Sequence, residues 1–252
     1  MSKIVSFLDK LNHTGNSQTK NKKMKMTYPK IILTYFNIEA RAEPVRLAFE
    51  LGKIPYEDNR IDFSEWGNLK PTLPAGQLPI LNVDDGPAQT QSGAMLRWAG
   101  SLNPDSGLYP PDKLYEIEEA IGLVEDMQNS WMPNLYIGFR PEKYGYEEGF
   151  SKTDEGAEKM KTMRETWIKN ELPKCLGYLS SKIKKHEGKW LASSDRPTVA
   201  DCLAVPALRS FTTGRIDFVE SSCLECNPVI VDYLKRFCAL DEIKGRYVDG
   251  LF

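Results

Sequence analysis

Hydrophobic and polar positions change their period at several places along the chain. Ile31 to Tyr35 is an apolar, β-branched run that predicts a buried strand. From about Arg41 onward, Val45, Ala48, Phe49 and Gly52 fall at helical spacing. Pro44 fits the first turn of that helix, where its missing N–H has no partner to lose. Tyr35 is thus expected at the end of a strand beside a helix N-terminus. Ligands gather at such edges of α/β sheets, and a helix N-terminus favours an anion. Further strands are predicted around Tyr56 to Arg60 and over Ile80 to Val83, with Asp84-Asp85-Gly86 signalling a turn into a short fourth strand before Gln91. Ser92 is placed to cap a helix carrying Ala94, Leu96, Trp98 and Ala99.

Residues 28–102 therefore read β-α-β-α-β-β-α, the succession of a thioredoxin-like domain. Asn103-Pro104-Asp-Ser-Gly107 and Pro110-Pro111 break all periodicity, so 103–113 is a linker. From 114 to 252 the pattern is helical, and the fold class is α/β followed by an all-α bundle. One apolar stripe runs through Leu114, Ile117, Ile121, Val124, Met127 or Gln128, Trp131 and Leu135. A second runs through Met160, Met163, Trp167, Leu176, Leu179 and Ile183, with Pro173 marking a kink or break. Thr198-x-x-Asp201 reads as a capping box with Asp in place of Glu, opening a helix through Phe211 that contains an awkward Pro206. Asn227-Pro228 reads as an N-cap with an N1 proline. The glycine- and aromatic-dotted stretch Gly138 to Gly156 is open between loop and helix; as a loop it would form a mobile rim over an apolar pocket. Residues 1–27 have one short apolar turn (Ile4, Phe7, Leu8, Leu11) and then a Lys-rich polar run. Disorder is expected for most of them, because too little apolar surface offsets the ordering entropy.

Charge narrows the function classes. Among the 252 residues acidic and basic side chains nearly balance, leaving net −2, so nothing electrostatic favours a nucleic-acid partner. No apolar run reaches the ~20 residues of a membrane span. Five scattered cysteines suit free thiols in a reducing compartment, and a cytoplasmic location is expected. Cys223-Leu-Glu-Cys226 has redox spacing, but redox pairs in thioredoxin-like folds open the first helix, and this pair lies far downstream. With only His13 and His186 in the chain, no metal is expected.

Leu33-Thr-Tyr35-Phe36-Asn37, followed by Ala40-Arg41-Ala-Glu43 and Val45-Arg46-Leu47, resembles the first strand and helix of glutathione transferases, most closely the sigma class. Tyr56 to Ile61 with Trp66, Leu73 to Leu81, Gln91-Ser92-Gly-Ala94, and Trp190-Leu191 with Thr198 to Asp201 resemble later segments of that family, in the same order. The likeness runs from Tyr28 nearly to the C-terminus. It implies glutathione as co-substrate, a small hydrophobic electrophile as second substrate and a homodimer. Peroxidase or isomerase activity on lipid-derived substrates is compatible with it. A non-enzymatic, crystallin-like or ligand-binding relative on the same fold is the alternative, and retention of Tyr35, Arg41, Gln91 and Ser92 together weighs against it. A thiol–disulfide oxidoreductase is disfavoured because the first helix opens on Tyr-Phe-Asn without cysteine.

The chemistry needed is thiol activation. A free thiol of pKa near ~8.5 is only a few per cent ionised at pH 7. Tyr35 can donate its phenolic hydrogen to the thiolate, and lowering the thiol pKa by ~2 units corresponds to roughly 2.7 kcal/mol. By resemblance Tyr35 is the catalytic tyrosine and Arg41 the helix-one arginine; an ion pair of Arg41 with Glu39 or Glu43 is the structural alternative. Leu78 precedes Pro79, and a cis bond there would offer the Leu78 backbone to the cysteinyl unit as a short strand. Gln91 and Ser92 sit where a helix N-terminus can take the γ-glutamyl carboxylate. By resemblance Phe36, Trp66, Lys70 and Gln77 complete the glutathione set. Ile38, Trp131, Met132, Tyr136, Leu251 and Phe252 are candidates for the electrophile pocket. Relatives send an acid from the long fourth helix across the dimer interface, whereas Gln128 and Asn129 align there, with Glu125 and Asp126 one turn earlier.

Overall fold

The computed structural model describes residues 27–247. The expectations for residues 1–26, Leu251 and Phe252 lie outside the described residues. The first strand, β1 (Ile31–Phe36), sits at the centre of a three-stranded sheet of order β2-β1-β3. β2 (Glu57–Ile61) runs parallel to it and β3 (Ile80–Val83) antiparallel. A parallel neighbour requires a crossover, which α1 (Glu43–Gly52) supplies after a 3-10 turn at Ala40–Ala42. Pro44 is in the first turn of α1, and Lys53 closes its C-terminus in the left-handed region. β2 buries only Ile61, as suits a polar edge strand.

The expected fourth strand is reduced to one bridge. Leu81 exchanges both backbone hydrogen bonds with Gln89, at 3.0 and 2.8 Å. In that register Val83 would face Pro87, which has no N–H to donate, and the ladder stops. β2 also starts at Glu57, one residue later than expected, because the Tyr56 ring packs on Phe49 and its hydroxyl donates to Glu50.

A one-turn helix, α2 (Trp66–Leu69), and α3 (Ser92–Ser101) complete the first half. Leu33 and Tyr35 point from β1 to the side where Val45, Ala48 and Phe49 of α1 and Met95 and Leu96 of α3 are buried. Five helices follow: α4 (Leu114–Phe139), α5 (Asp154–Asn170), α6 (Leu172–Lys185), α7 (Val199–Arg209) and α8 (Pro228–Cys238). The two predicted stripes mark the buried faces of α4, α5 and α6 except at Leu114, which is exposed, and at Leu135 and Met163, which are half-buried; the chain breaks between α5 and α6, with Pro173 at the second position of α6. Pro133 lies inside α4, where it removes one donor. Polar side chains satisfy the carbonyls around it: Asn134 Nδ2 donates to Ser130 O and Trp131 O, and the buried Arg164 donates to Asn134 O at 3.0 Å.

The residues linking α4 to α5 are irregular. They contain 3-10 turns at Pro141–Tyr144 and Phe150–Lys152, with Tyr146 stacked on Phe150 at 4.1 Å. Gly156 is required there, because a Cβ would meet Phe150 O at 1.9 Å. The capping box forms as read: Asp201 accepts from the Thr198 N–H at 2.7 Å. Asn227 caps α8 through Ile230 N–H. α7 ends at Arg209, two residues before the expected Phe211. Pro206 lies inside α7, where its missing N–H leaves the Cys202 carbonyl without its helical donor.

Candidate active site

Tyr35 is the penultimate residue of β1 and is 6% exposed. Burial pushes its hydroxyl above the ordinary tyrosine range. The Arg41 backbone N–H and the charges of Arg41 and Arg46 act in the opposite direction, and Tyr136 of α4 is close enough to add to the rise. The hydroxyl thus stays protonated at neutral pH, with the Arg41 amide beside it. Arg41 lies in the 3-10 turn before α1, not inside the helix, and is exposed. The ion pairs suggested for it form elsewhere: Glu43 pairs with Arg46 and Arg246, and Glu39 lies 3.9 Å from Arg209 and 4.0 Å from Arg215.

The glutathione candidates come from three loops around this strand end. Phe36 stacks on Phe63 at 4.4 Å and meets the Trp66 ring edge-on at 5.6 Å. Lys70 is exposed, and its side chain runs beside Gly76, next to the exposed Gln77. The Leu78–Pro79 bond is cis. Gln91 takes φ +76°, outside the range most side chains adopt, and occupies the N-cap of α3. Ser92 is therefore the first helical residue, not the cap expected of it. The Gln91 carbonyl accepts from the Ala94 N–H at 3.0 Å and the Met95 N–H at 3.1 Å, and the Ser92 and Gly93 N–H groups are the ones a helix start leaves without a helical partner.

Of the electrophile-side candidates, Ile38 is 40% exposed and Met132 and Tyr136 are half-buried. Tyr136 also lies under Lys143 Nζ, 5.4 Å from its ring, which places the 138–156 segment against it. Trp131 is buried in a cluster with Trp167 (4.8 Å) and Phe211 (5.2 Å) and belongs to the helical core. On a helix, Trp131 and Tyr136 are five residues apart and face different sides. A groove of about 500 Å³ lined by Thr34, Asn59, Leu69 and Ile80 opens on the other face of the sheet, away from the Tyr35 ring.

Two features had no reading in the sequence. Arg46, 0% exposed, donates to Ile38 O at 2.7 Å, Phe36 O at 3.4 Å and Asp58 Oδ1 at 3.0 Å. It thereby fastens the turn between Tyr35 and Arg41. Its partner Glu43 also accepts from Arg246 and Tyr247 at the far end of the chain. Glu43 and Arg46 at i,i+3 were a visible cue, whereas nothing local marks Arg246. Cys223 and Cys226 are free thiols, and burial pushes Cys223 up to about 11, which suits neither a nucleophile nor a redox pair.

The family pattern described as "Glutathione S-transferase, C-terminal domain" matches residues 146–247. Glutathione S-transferase 1 of Ascaris suum is 30% identical over 192 residues, covering 76% of this chain and 85% of the relative. The chain belongs to the glutathione S-transferase family. A glutathione S-transferase class-mu 28 kDa isozyme of Schistosoma bovis is 27% identical over 223 residues, covering 83% of this chain and 96% of the relative. The solved prostaglandin synthase D of Nilaparvata lugens superposes with a TM-score of 0.66 at 27% identity, covering 86% of this chain and 96% of that one. The chain is an enzyme, a glutathione transferase, and the non-catalytic alternative is set aside. Among the described residues, no helix is long and apolar enough to cross a membrane.

Proposed function

We propose that this transferase is sigma-like and activates the glutathione thiol through the Tyr35 hydroxyl. The observation that carries the reading is a buried, protonated phenol at the end of β1 with the Arg41 amide beside it. A neutral phenol can donate to a thiolate without bringing negative charge near it, so it favours the ionised thiol. Arg41 adds positive field from the same turn. The first turn of α3, with Gln91 and Ser92, takes the γ-glutamyl carboxylate, a helix N-terminus being suited to an anion. Leu78 and Pro79 present the backbone to the cysteinyl unit, with Phe36 alongside. Trp66 and Lys70 hold the glycyl end, and Gln77 adds a polar contact.

Residues 28–102 then supply the glutathione side and 114–252 the electrophile side, with 103–113 as linker. Ile38, Met132 and Tyr136 border the electrophile. The electrophile class is apolar, and the likeness to a prostaglandin synthase supports lipid-derived substrates among those to be tried. The enzyme works as a homodimer in the cytoplasm. Rates with glutathione and a panel of aryl halides, enals and organic hydroperoxides, for wild type and Tyr35→Phe, test the reading. Tyr35→Phe is expected to lose about ten- to a hundredfold in kcat/KM at pH 6.5 and much less at pH 9. Equal rates at both pH values would remove Tyr35 from the mechanism.

A further inference from the structure

The turn joining Tyr35 to Arg41 is conformationally costly. Ala40 takes φ +37°, a left-handed conformation unfavourable for any residue with a side chain, so something must hold it. Arg46 does so through the carbonyls of Phe36 and Ile38. Yet Arg46 has a competing acceptor. Its Nη1 lies 3.4 Å from Glu43 Oε2, and both side chains are at most 2% exposed. In so dry a place a carboxylate with one cationic neighbour draws that cation strongly.

A second set of donors occupies Glu43. Arg246 Nε donates to Oε1 at 2.7 Å and Nη2 to Oε2 at 3.2 Å, and the Tyr247 hydroxyl donates to Oε1 at 3.1 Å. Two parallel N–H donors on one carboxylate is the strong arrangement for an arginine. The other charges around this cluster are Asp58, which accepts from Arg46 and Arg60, and Glu50, 3.7 Å from Arg246 and bonded to the Tyr56 hydroxyl. The Tyr247 ring also lies under the Arg209 guanidinium at 3.8 Å, and Arg209 in turn faces Glu39 of the same turn.

We propose that Arg246 and Tyr247 are positioning residues for the thiol-activating turn, acting through Glu43. By giving Glu43 a bidentate arginine and a hydroxyl they keep its contact with Arg46 long, at 3.4 Å, while the Arg46 guanidinium grips the Ile38 and Phe36 carbonyls. That grip fixes where the Tyr35 hydroxyl and the Arg41 amide meet the thiol. Without Arg246, Arg46 shifts toward Glu43, the turn relaxes from its left-handed residue, and the donors move away from the sulfur. The inference rests on the reading of Tyr35 given above.

The test is the pH dependence of kcat/KM for the electrophile at saturating glutathione, which reports the bound thiol. Arg246→Gln is expected to move the profile upward by about half to one pH unit, a loss of about three- to tenfold at low pH that closes at high pH. The KM for glutathione should stay within about twofold, because its charged ends are held elsewhere. Glu43→Gln combined with Arg246→Gln should restore most of the profile, since the competing carboxylate is gone. A merely structural role would lower the melting temperature and leave the profile where it was. A wild-type profile for Arg246→Gln, or a double variant shifted as far as the single one, overturns the proposal. Should Arg246→Gln not fold, Tyr247→Phe removes one donor and must shift the profile the same way by a smaller amount; an unshifted profile overturns the proposal equally. Tyr35→Phe measured alongside separates the two claims. If it shifts and Arg246→Gln does not, only the positioning role fails; if neither shifts, the Tyr35 reading itself has failed.

Discussion

Asp201 offers the sharpest test of what holds the helical half in shape behind α1. Its carboxylate is fully buried and accepts from Leu191 N–H (2.9 Å), Thr198 N–H (2.7 Å), Thr198 Oγ1 (3.1 Å) and the Tyr233 hydroxyl (3.0 Å). It thus joins the loop before α7, the start of α7 and the middle of α8. α7 packs against α1, so the same helix that Asp201 anchors supports the helix that follows Tyr35. Asp201→Ala removes the acceptor and strands donors that water cannot easily reach. Loss of a cap costs about 1 kcal/mol and each stranded buried donor about 1–3 kcal/mol, with partial relief by water entry. A total of about 4 kcal/mol is expected, at the severe end for one substitution. Asp201→Asn keeps one oxygen but turns an NH₂ toward an N–H, so about 2–3 kcal/mol is expected. Urea unfolding, followed by tryptophan fluorescence and by far-ultraviolet circular dichroism, measures both; Trp190, 6.3 Å from the Tyr233 ring, is a local reporter. A loss below about 1 kcal/mol for Asp201→Ala at unchanged slope would refute the reasoning.

Three other outcomes are expected. Glu43 is pulled up by burial but more strongly down by Arg246 and Arg46, so its folded pKa lies below the ordinary 4.5. Its contribution to stability is then present above pH 4.5 and is lost as pH falls through the folded value. The wild-type melting temperature should accordingly fall below pH 4.5 more steeply than that of Glu43→Gln, and parallel curves would contradict this. Shortening the irregular segment between α4 and α5, which touches Tyr136 through Lys143, should change the KM of the electrophile while leaving that of glutathione alone; equal changes in both would point to misfolding. Sedimentation at micromolar concentration should give twice the chain mass. Met95 is 3% exposed within one chain and does not supply the contact face, whereas Phe63 at 60% and Tyr115 at 79% have apolar surface to bury, and a monomer would leave it bare.

The elements written in local chemistry were legible. The β-branched run of β1, Pro44 in the first turn of α1, the Asn227-Pro228 start and the Thr198–Asp201 box each depend on residues within four positions, and each formed where it was read. The fourth strand failed for a local reason that was also visible: Pro87 sits where a ladder donor was needed. The role of Trp131 was harder, because an apolar stripe says that a face is buried and not which neighbours bury it. Its partners Trp167 and Phe211 come from other elements. Glu43 and Arg246, 203 residues apart, could not be paired by any periodicity, since neither segment constrains the other until the chain is folded. The candidate glutathione residues came as a set from the resemblance to a known family, since Phe36, Trp66, Lys70 and Gln77 carry no local pattern that marks a ligand site.

The central claim is that the site ionises the glutathione thiol. Thiolate absorbs in the ultraviolet where the thiol does not, so a difference titration of the glutathione complex from pH 5 to 10 reads the bound pKa directly, without an electrophile or a rate. The account predicts a value about 2 units below that of free glutathione in the wild type, and one near the free value of about 8.5 in Tyr35→Phe. A wild-type complex that titrates with the free tripeptide would contradict it.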